Sequence, residues 1–370
     1  MHISPVHLYI HVPFCARRCS YCDFAIAVRR AVPSAAFAAA VRSEWDRWQS
    51  HPAWRESPGV DTIYFGGGTP SRLDPAAIAA ILAAIGRARV VAPGAELTLE
   101  ANPDDVTPAA AAAWAAAGIN RVSLGVQSFD PEVLAWMHRT HTAAQVPSAV
   151  AALRSAGIAD ISLDLIFALP RSLRRDWGAD LDRALALQPD HLSLYGLTVE
   201  PRTPLGRWAA RAEVAPADDE AYAAEFLLAH ERMVGAGLEH YEVSNAGRPG
   251  RRARHNSAYW RRAPFIGLGP AAHSGFGAVR QWNLRDWPAW QRAVESGSAT
   301  VAGGEELDAA QLRLEERYLG LRTIDGLNPA GIPEDIRKAW ETAGWARTTD
   351  RTRLTPEGWL RLDALVAALP

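Results

Sequence analysis

The run Tyr9-Ile10-His11-Val12-Pro13-Phe14-Cys15-Ala16-Arg17-Arg18-Cys19-Ser20-Tyr21-Cys22 decides the reading of this chain. A strand over 7–12 delivers the backbone straight into a loop whose cysteines are separated by three and then two residues. They are the only three cysteines among 370 residues and lie within eight positions of one another. That excludes a distributed disulfide framework and points to a single metal or redox site in a reducing compartment.

Three thiolates can hold three irons of a [4Fe-4S] cubane and leave the fourth iron without a protein ligand. A chelating amine and carboxylate, such as the methionyl end of S-adenosylmethionine, can fill that corner. One electron from the cluster could then cleave the neighbouring sulfonium. Two other readings stay open at this level: a three-cysteine zinc site completed by His11, and three unrelated buried thiols. Structural zinc usually draws its ligands as two separated pairs, which disfavours the first.

Outward from the loop, an alanine-rich helical pattern ends three times in Ala-Gly plus an aliphatic residue: Ala117-Gly118-Ile119, Ala156-Gly157-Ile158 and Ala236-Gly237-Leu238. Each is followed by a strand-like run, over 122–126, 161–166 and 241–243. Asp74-Pro75, Thr107-Pro108 and Asp130-Pro131 pair a capping side chain with a proline suited to the first helical turn. Further strands are expected over 62–65, 97–100 and 191–197, and helices over 35–48, 75–90, 144–156 and 218–235. Repeated β/α units predict an α/β fold, a partial (β/α)6 barrel. The expected division is a core barrel over 1–235, a connecting segment over 236–300 and a small, mainly helical domain over 301–370. The helix, helix, hairpin order of that last part fits a winged helix; lacking an excess of basic residues, it is not read as a nucleic-acid binder.

In a parallel barrel, side chains at the carboxyl ends of the strands converge on one mouth. Glu100 ends the third strand, Gln127 the fourth, Asp164 lies in the fifth and Tyr195 in the sixth. Gly66-Gly67-Gly68-Thr69-Pro70 follows the second strand, where bare backbone can approach a charged ligand. A nucleoside with an amino-acid tail would satisfy such a set.

The composition sets limits. Hydrophobic residues make up 48% of the chain and charged residues 22%, an ordinary globular balance. A net charge of -2 gives no general attraction for nucleic acid or anionic lipid. Neither a leader pattern nor a membrane-length apolar run is visible, so the expected compartment is the cytoplasm, with membrane docking through a partner left open. The single lysine, Lys338, lies far from every motif, which argues against Schiff-base or P-loop chemistry.

The strand leading into Cys15, the Cys15, Cys19 and Cys22 spacing and the Gly66 to Pro70 motif together resemble the radical S-adenosylmethionine family of oxygen-independent coproporphyrinogen oxidases. The closer likeness is to its haem-chaperone branch and extends over nearly the whole chain. Phe24 stands where the oxidases carry a further cysteine, the first strand begins almost at the N-terminus, and His255-Asn256-Ser257-Ala258-Tyr259-Trp260 matches the HNxxYW motif associated with haem binding.

The resemblance implies a [4Fe-4S] cluster on Cys15, Cys19 and Cys22, with Tyr9, Gly67 and Glu100 contacting S-adenosylmethionine. Gly68, Thr69, Gln127, Arg139 and Asp164 correspond to positions that hold a second cofactor molecule in the oxidases. The chain departs from the family pattern at His138, where glycine is usual before Arg139, and at Ala168 and Arg171, which flank Leu169-Pro170 in place of glycines. His255 would be an axial ligand to haem iron, with Arg248, Arg251, Arg252, Arg254, Arg261 and Arg262 available to the propionates. The bland readings are a solvated loop histidine and a segment that only packs. The implied function is a haem chaperone that passes haem to apo-haemoproteins, with dimerisation on loading left open. The alternative is an enzyme that oxidatively decarboxylates coproporphyrinogen III.

Overall fold

The computed structural model describes residues 7–51 and 59–370. Six strands, β1 (His7–Val12), β2 (Val60–Gly67), β3 (Val91–Ala101), β4 (Arg121–Gln127), β5 (Asp160–Phe167) and β6 (His191–Gly196), pair in parallel and in chain order. Five helices of ten or more residues lie between them, α1 (Ser34–Trp48), α2 (Pro75–Ala88), α3 (Pro108–Ala117), α4 (Gln145–Ser155) and α5 (Trp177–Ala186), with a shorter helix, Pro131–Trp136, ahead of α4. A sixth, α6 (Asp219–Gly235), follows β6. This is the expected partial (β/α)6 barrel.

The helix boundaries follow from local chemistry. Thr107 and Asp130 accept backbone N–H groups of their first turns, and Gly118 ends α3 at φ 103°, a conformation that a side chain resists. Asp74 departs from expectation. Its side chain makes no capping bond, and its own N–H donates instead to the Ser34 hydroxyl at 3.0 Å.

Each strand alternates in one sense. Leu8 and Ile10 on β1, Leu163 and Leu165 on β5, and Leu192 and Leu194 on β6 face the helices, where they pack with Phe37, Trp45, Ile78, Ile81 and Trp114. The intervening residues are polar and face inward: His7, Tyr9 and His11 on β1, Thr62 and Tyr64 on β2, Ser162 and Asp164 on β5, His191 and Ser193 on β6. Register brings them into layers, with His7 opposite Thr62, Ser123 opposite Ser162, and Ser162 opposite His191. The apolar core therefore surrounds the barrel, and the lumen is polar.

The sheet continues beyond residue 235. Residues 239–306 extend the same sheet through β7 (Glu239–Glu242), β8 (Asn245–Gly247), β9 (Phe265–Leu268), β10 (His273–Phe276), β11 (Val279–Asn283) and β12 (Val301–Glu306). The full order is β12-β11-β10-β9-β1-β2-β3-β4-β5-β6-β8-β7, with β9 parallel to β1 and the outer strands antiparallel. The third Ala-Gly unit thus feeds an edge hairpin, because the two residues between β7 and β8 cannot form the crossover that a parallel strand needs.

Beyond β12 come helices Ala309–Leu321 and Glu334–Thr342, a hairpin of Ala346–Thr348 with Thr352–Leu354, and two short helices. Leu327 bridges to Thr352 beside the hairpin, completing the order expected of a winged helix. No helix among the described residues is long and apolar enough to cross a membrane.

Candidate functional site: a cysteine-lined barrel mouth

A cavity of about 430 Å³ opens at the carboxyl ends of the strands. Cys15, Cys19 and Cys22 line it, together with Gly67, Gly68 and Thr69 from the end of β2 and the turn after it. Glu100, Gln127, Asp164 and Tyr195 reach it from the ends of β3 to β6, and Arg139 from the loop after β4. Ten site residues expected from sequence, and Tyr195, therefore meet in one place. Sequence reasoning passed over Tyr21, Asn102 and Ser123, which also line it. Asn102 was findable, since it stands two residues beyond Glu100 and so on the same face.

The cysteine loop is held by its surroundings. Phe14–Cys15 pairs with Ala27–Val28, closing the loop at its base. The Thr69 hydroxyl donates to Cys15 Sγ at 3.4 Å, and an Arg139 guanidinium nitrogen lies 3.8 Å from Cys19 Sγ. The same guanidinium donates to Asn102 Oδ1 at 2.5 Å and to the Gly125 carbonyl at 2.7 Å, while its Nε is buried without a partner. Gly68 is required by contact: a Cβ there would stand 2.8 Å from the Pro13 carbonyl and 3.0 Å from Cys15 Sγ. Burial pushes the Cys22 thiol up to about 11 and raises Cys15 as well, so occupation by a metal must release protons.

This donor set suits an iron-sulfur cubane: three thiols face one cavity, no fourth cysteine exists, and cationic and hydroxyl donors stand beside the sulfurs. The zinc reading does not fit. His11 Nε2 bonds the Ala25 carbonyl at 2.9 Å and its Nδ1 bonds the Tyr9 hydroxyl at 3.1 Å, so both ring nitrogens are engaged.

Two carboxylates form the wall opposite. Glu100 accepts from the Tyr64 hydroxyl at 2.8 Å and from the Gly67 N–H at 3.0 Å. Burial, reinforced by the charge of Asp164, lifts it to about 7. Asp164 accepts from Ser123 at 2.8 Å and 2.9 Å, and burial raises it too. Gln127 adopts φ 67°, turning the chain out of β4 at the cavity edge. The result is a polar pocket of adjustable negative charge beside a thiol cluster.

The Radical SAM superfamily model matches residues 9–184. The chain is 37% identical to the heme chaperone HemW of Mycobacterium tuberculosis, over 99% of this chain and 95% of that protein. It is 38% identical to HemW of Escherichia coli K12 over 73% of this chain and 70% of the relative. The chain belongs to the HemW family. A solved structure of coproporphyrinogen III oxidase (HemN) from Escherichia coli shares its fold, with a TM-score of 0.81 over 99% of this chain and 90% of that one at 19% identity.

Against the HemW-family pattern, three features stand out. His138 and Ala168, which replace expected glycines, keep glycine-like backbone at φ 59° and 56°. Phe24, in place of the oxidases' additional cysteine, lines the cavity and is 58% exposed. Tyr9 lies beneath the cavity and does not line it: its ring stacks on Tyr64 at 6.1 Å.

The HNxxYW motif is where the structure most changes the reading. Residues Arg254–Trp260 form a helix that plugs the opposite end of the barrel. His255 is not a solvated loop residue; it is 1% exposed, with Nδ1 2.7 Å from Thr62 Oγ1 and Nε2 2.7 Å from the Tyr259 hydroxyl. Its ring stacks on Tyr64 at 5.1 Å. Burial holds it down at about 3, a neutral ring with both nitrogens occupied, which offers no lone pair to iron in this conformation. Four of the six surrounding arginines are also paired: Arg251 with Asp160, Arg252 with Glu239 and Asp325, Arg254 with Asp61, and Arg262 with Glu315. Ser257 and Trp260 face outward and line a second cavity of about 450 Å³, between the plug and the C-terminal helices.

Proposed function

We propose that this chain is a haem chaperone, with a [4Fe-4S] cluster held by Cys15, Cys19 and Cys22 and S-adenosylmethionine bound beside it. Glu100 and the Gly67 backbone would receive the amino-acid end, and Thr69, Gln127, Arg139 and Asp164 would complete the pocket wall. When bound, the cluster would supply one-electron chemistry to the sulfonium. The chain's own part is to orient that group, border it with Tyr21 and Phe24, and hold two carboxylates, Glu100 lifted to about 7 and Asp164 raised above its ordinary value.

The observation that carries this reading is the gathering of three thiols, two half-buried carboxylates and Arg139 in one mouth, in a chain aligned over nearly its full length with HemW proteins. Haem is best accommodated at the second cavity, which Trp260 lines and where Arg261 has no ion-pair partner among the described residues. Apo-haemoproteins are the recipients on this reading, and the cytoplasm the compartment.

Titration of the anaerobically reconstituted protein with haemin tests it. Saturable binding that is weakened by Arg261→Glu and Trp260→Ala, followed by transfer to an apo-haemoprotein, is expected. Conversion of coproporphyrinogen III to vinyl product under reducing, oxygen-free conditions would instead make the chain an oxidase.

A further inference from the structure

One line of side chains runs the depth of the lumen and joins the two cavities. Asp164 lines the mouth cavity and Tyr241 lines the second one. Between them, Ser162 Oγ stands 3.3 Å from Asp164 Oδ1 and 2.8 Å from His191 Nδ1. His191 Nε2 is in turn 2.8 Å from the Tyr241 hydroxyl. Ser162, His191 and Tyr241 are each 2% exposed or less, so bulk water does not reach the line between its ends. Strand geometry builds it: Ser162 and Asp164 share a face of β5, and Ser162 is directly opposite His191 on β6.

The hydrogen bonds have a direction. The Tyr241 oxygen accepts the Ala253 N–H at 3.1 Å, leaving the phenolic proton for His191 Nε2. An imidazole that accepts at Nε2 carries its proton on Nδ1, where it donates to Ser162. The Ser162 hydroxyl then donates to Asp164. Every donor points from the second cavity towards the mouth.

We propose that Tyr241, His191 and Ser162 form a proton relay that couples the second cavity to the charge of Asp164. A proton delivered by water in the second cavity to the Tyr241 oxygen moves each proton by one bond. The phenolic O–H breaks as Nε2–H forms, Nδ1–H breaks as a new Ser162 O–H forms, and the former Ser162 proton passes to Asp164. One proton enters, one carboxylate is neutralised, and no electron changes hands. The imidazole ends in the opposite tautomer, donating to Tyr241.

The surrounding charges suit this exchange. Asp164 faces Glu100 from β3, Tyr64 from β2, Tyr195 from β6 and Arg121 from β4. Arg121 is held by Asp160 at 2.6 Å. Burial, with Arg121 nearby, holds His191 well below its ordinary value, so the ring works as a neutral shuttle and not as a stored cation. Tyr241 faces Glu242, Glu96 and Arg121, with the Arg252 guanidinium over its ring at 5.4 Å. His191 and Tyr241 are therefore positioning residues: they touch no cofactor, and they set the charge of a group that lines its pocket.

Two measurements decide it. The first uses the cofactor-free, full-length chain labelled with 15N-histidine, the His191 signals being assigned by their loss in His191→Gln. A wild-type ring protonated on Nδ1, with that population falling in Tyr241→Phe, is expected; Ser162→Ala severs the line from the other side and serves if Tyr241→Phe does not fold. A wild-type ring protonated on Nε2, or one indifferent to both variants, overturns the relay. The second measurement rests on the mouth being the S-adenosylmethionine site. In reconstituted protein, Tyr241→Phe should move the pH midpoint of S-adenosylmethionine affinity and change Kd by roughly tenfold near neutrality, the effect of losing one donor chain to a carboxylate. An unmoved midpoint overturns the coupling. If the wild type binds no S-adenosylmethionine, the reading of the mouth fails, and the tautomer measurement still judges the relay.

Discussion

The Glu96 carboxylate on β3 accepts the backbone N–H of His255 at 2.9 Å, and its other oxygen accepts that of Arg254 at 2.8 Å. A residue inside the barrel thus caps the helix that seals its floor, across 159 positions of sequence. The anion sits where the first-turn N–H groups are unsatisfied, the favourable end of a helix for negative charge.

That contact makes the plug dependent on one side chain. Glu96→Ala leaves one buried and one part-buried N–H group without acceptors and is expected to cost about 1–3 kcal/mol. Glu96→Gln, which keeps an acceptor, should cost less than half as much. Urea unfolding followed by tryptophan fluorescence measures the difference.

Cluster assembly should fail by two routes. Replacing Cys15, Cys19 or Cys22 by serine removes a ligand, and iron after anaerobic reconstitution should fall well below about four per chain. Gly68→Ala keeps all three thiols but pushes a methyl into Pro13 and Cys15 Sγ. Iron analysis of that variant should show a comparable loss while unfolding curves show a folded protein. Full iron retention would mean the loop relaxes freely.

Glu100 carries a readable pH signature in the cofactor-free protein. Its folded value of about 7 lies above the ordinary 4.5, so between those values the folded state binds more protons than the unfolded one. Its contribution is therefore most favourable below about 4.5 and declines as pH rises through about 7. Glu100→Gln removes that penalty and should raise stability by about 1–3 kcal/mol above neutrality, with little gain in mild acid. Paired urea titrations on either side of neutrality check it. An equal gain at both would assign the effect to packing.

Ala168 holds left-handed backbone while its N–H donates to Glu225 at 2.7 Å. Ala168→Gly relieves the backbone but loses a buried methyl, so stability should change by no more than about 1 kcal/mol. Ala168→Val adds branching at a positive φ and should cost about 2 kcal/mol or more. Midpoints of urea unfolding separate the two.

The thiol loop and the mouth were legible because each signal is local. Cysteine spacing is read along the chain, and Glu100, Gln127 and Asp164 stand out against apolar strands. The polar lumen was harder to read. In Ile161-Ser162-Leu163-Asp164-Leu165 the period of two is visible, but which face turns inward depends on the helices laid against the other side. The burial of His255 was hidden for a related reason: its neighbours in sequence are arginines, whereas the groups that enclose it, Thr62, Tyr64 and Glu96, are distant in the chain. The edge hairpin of β7 and β8 was missed because its Ala-Gly entry looks like those of the parallel strands, and only the short connection afterwards differs.

With its grease outside the strand wall and its polar groups within, the molecule separates two kinds of mutational tolerance. Changes in the outer annulus of Leu163, Ile78 and Trp114 act on whether the chain folds. Changes along the inner column of Ser162, His191 and Thr62 act on what the folded chain can do with charge, so one shell can be held constant while the chemistry inside it is retuned.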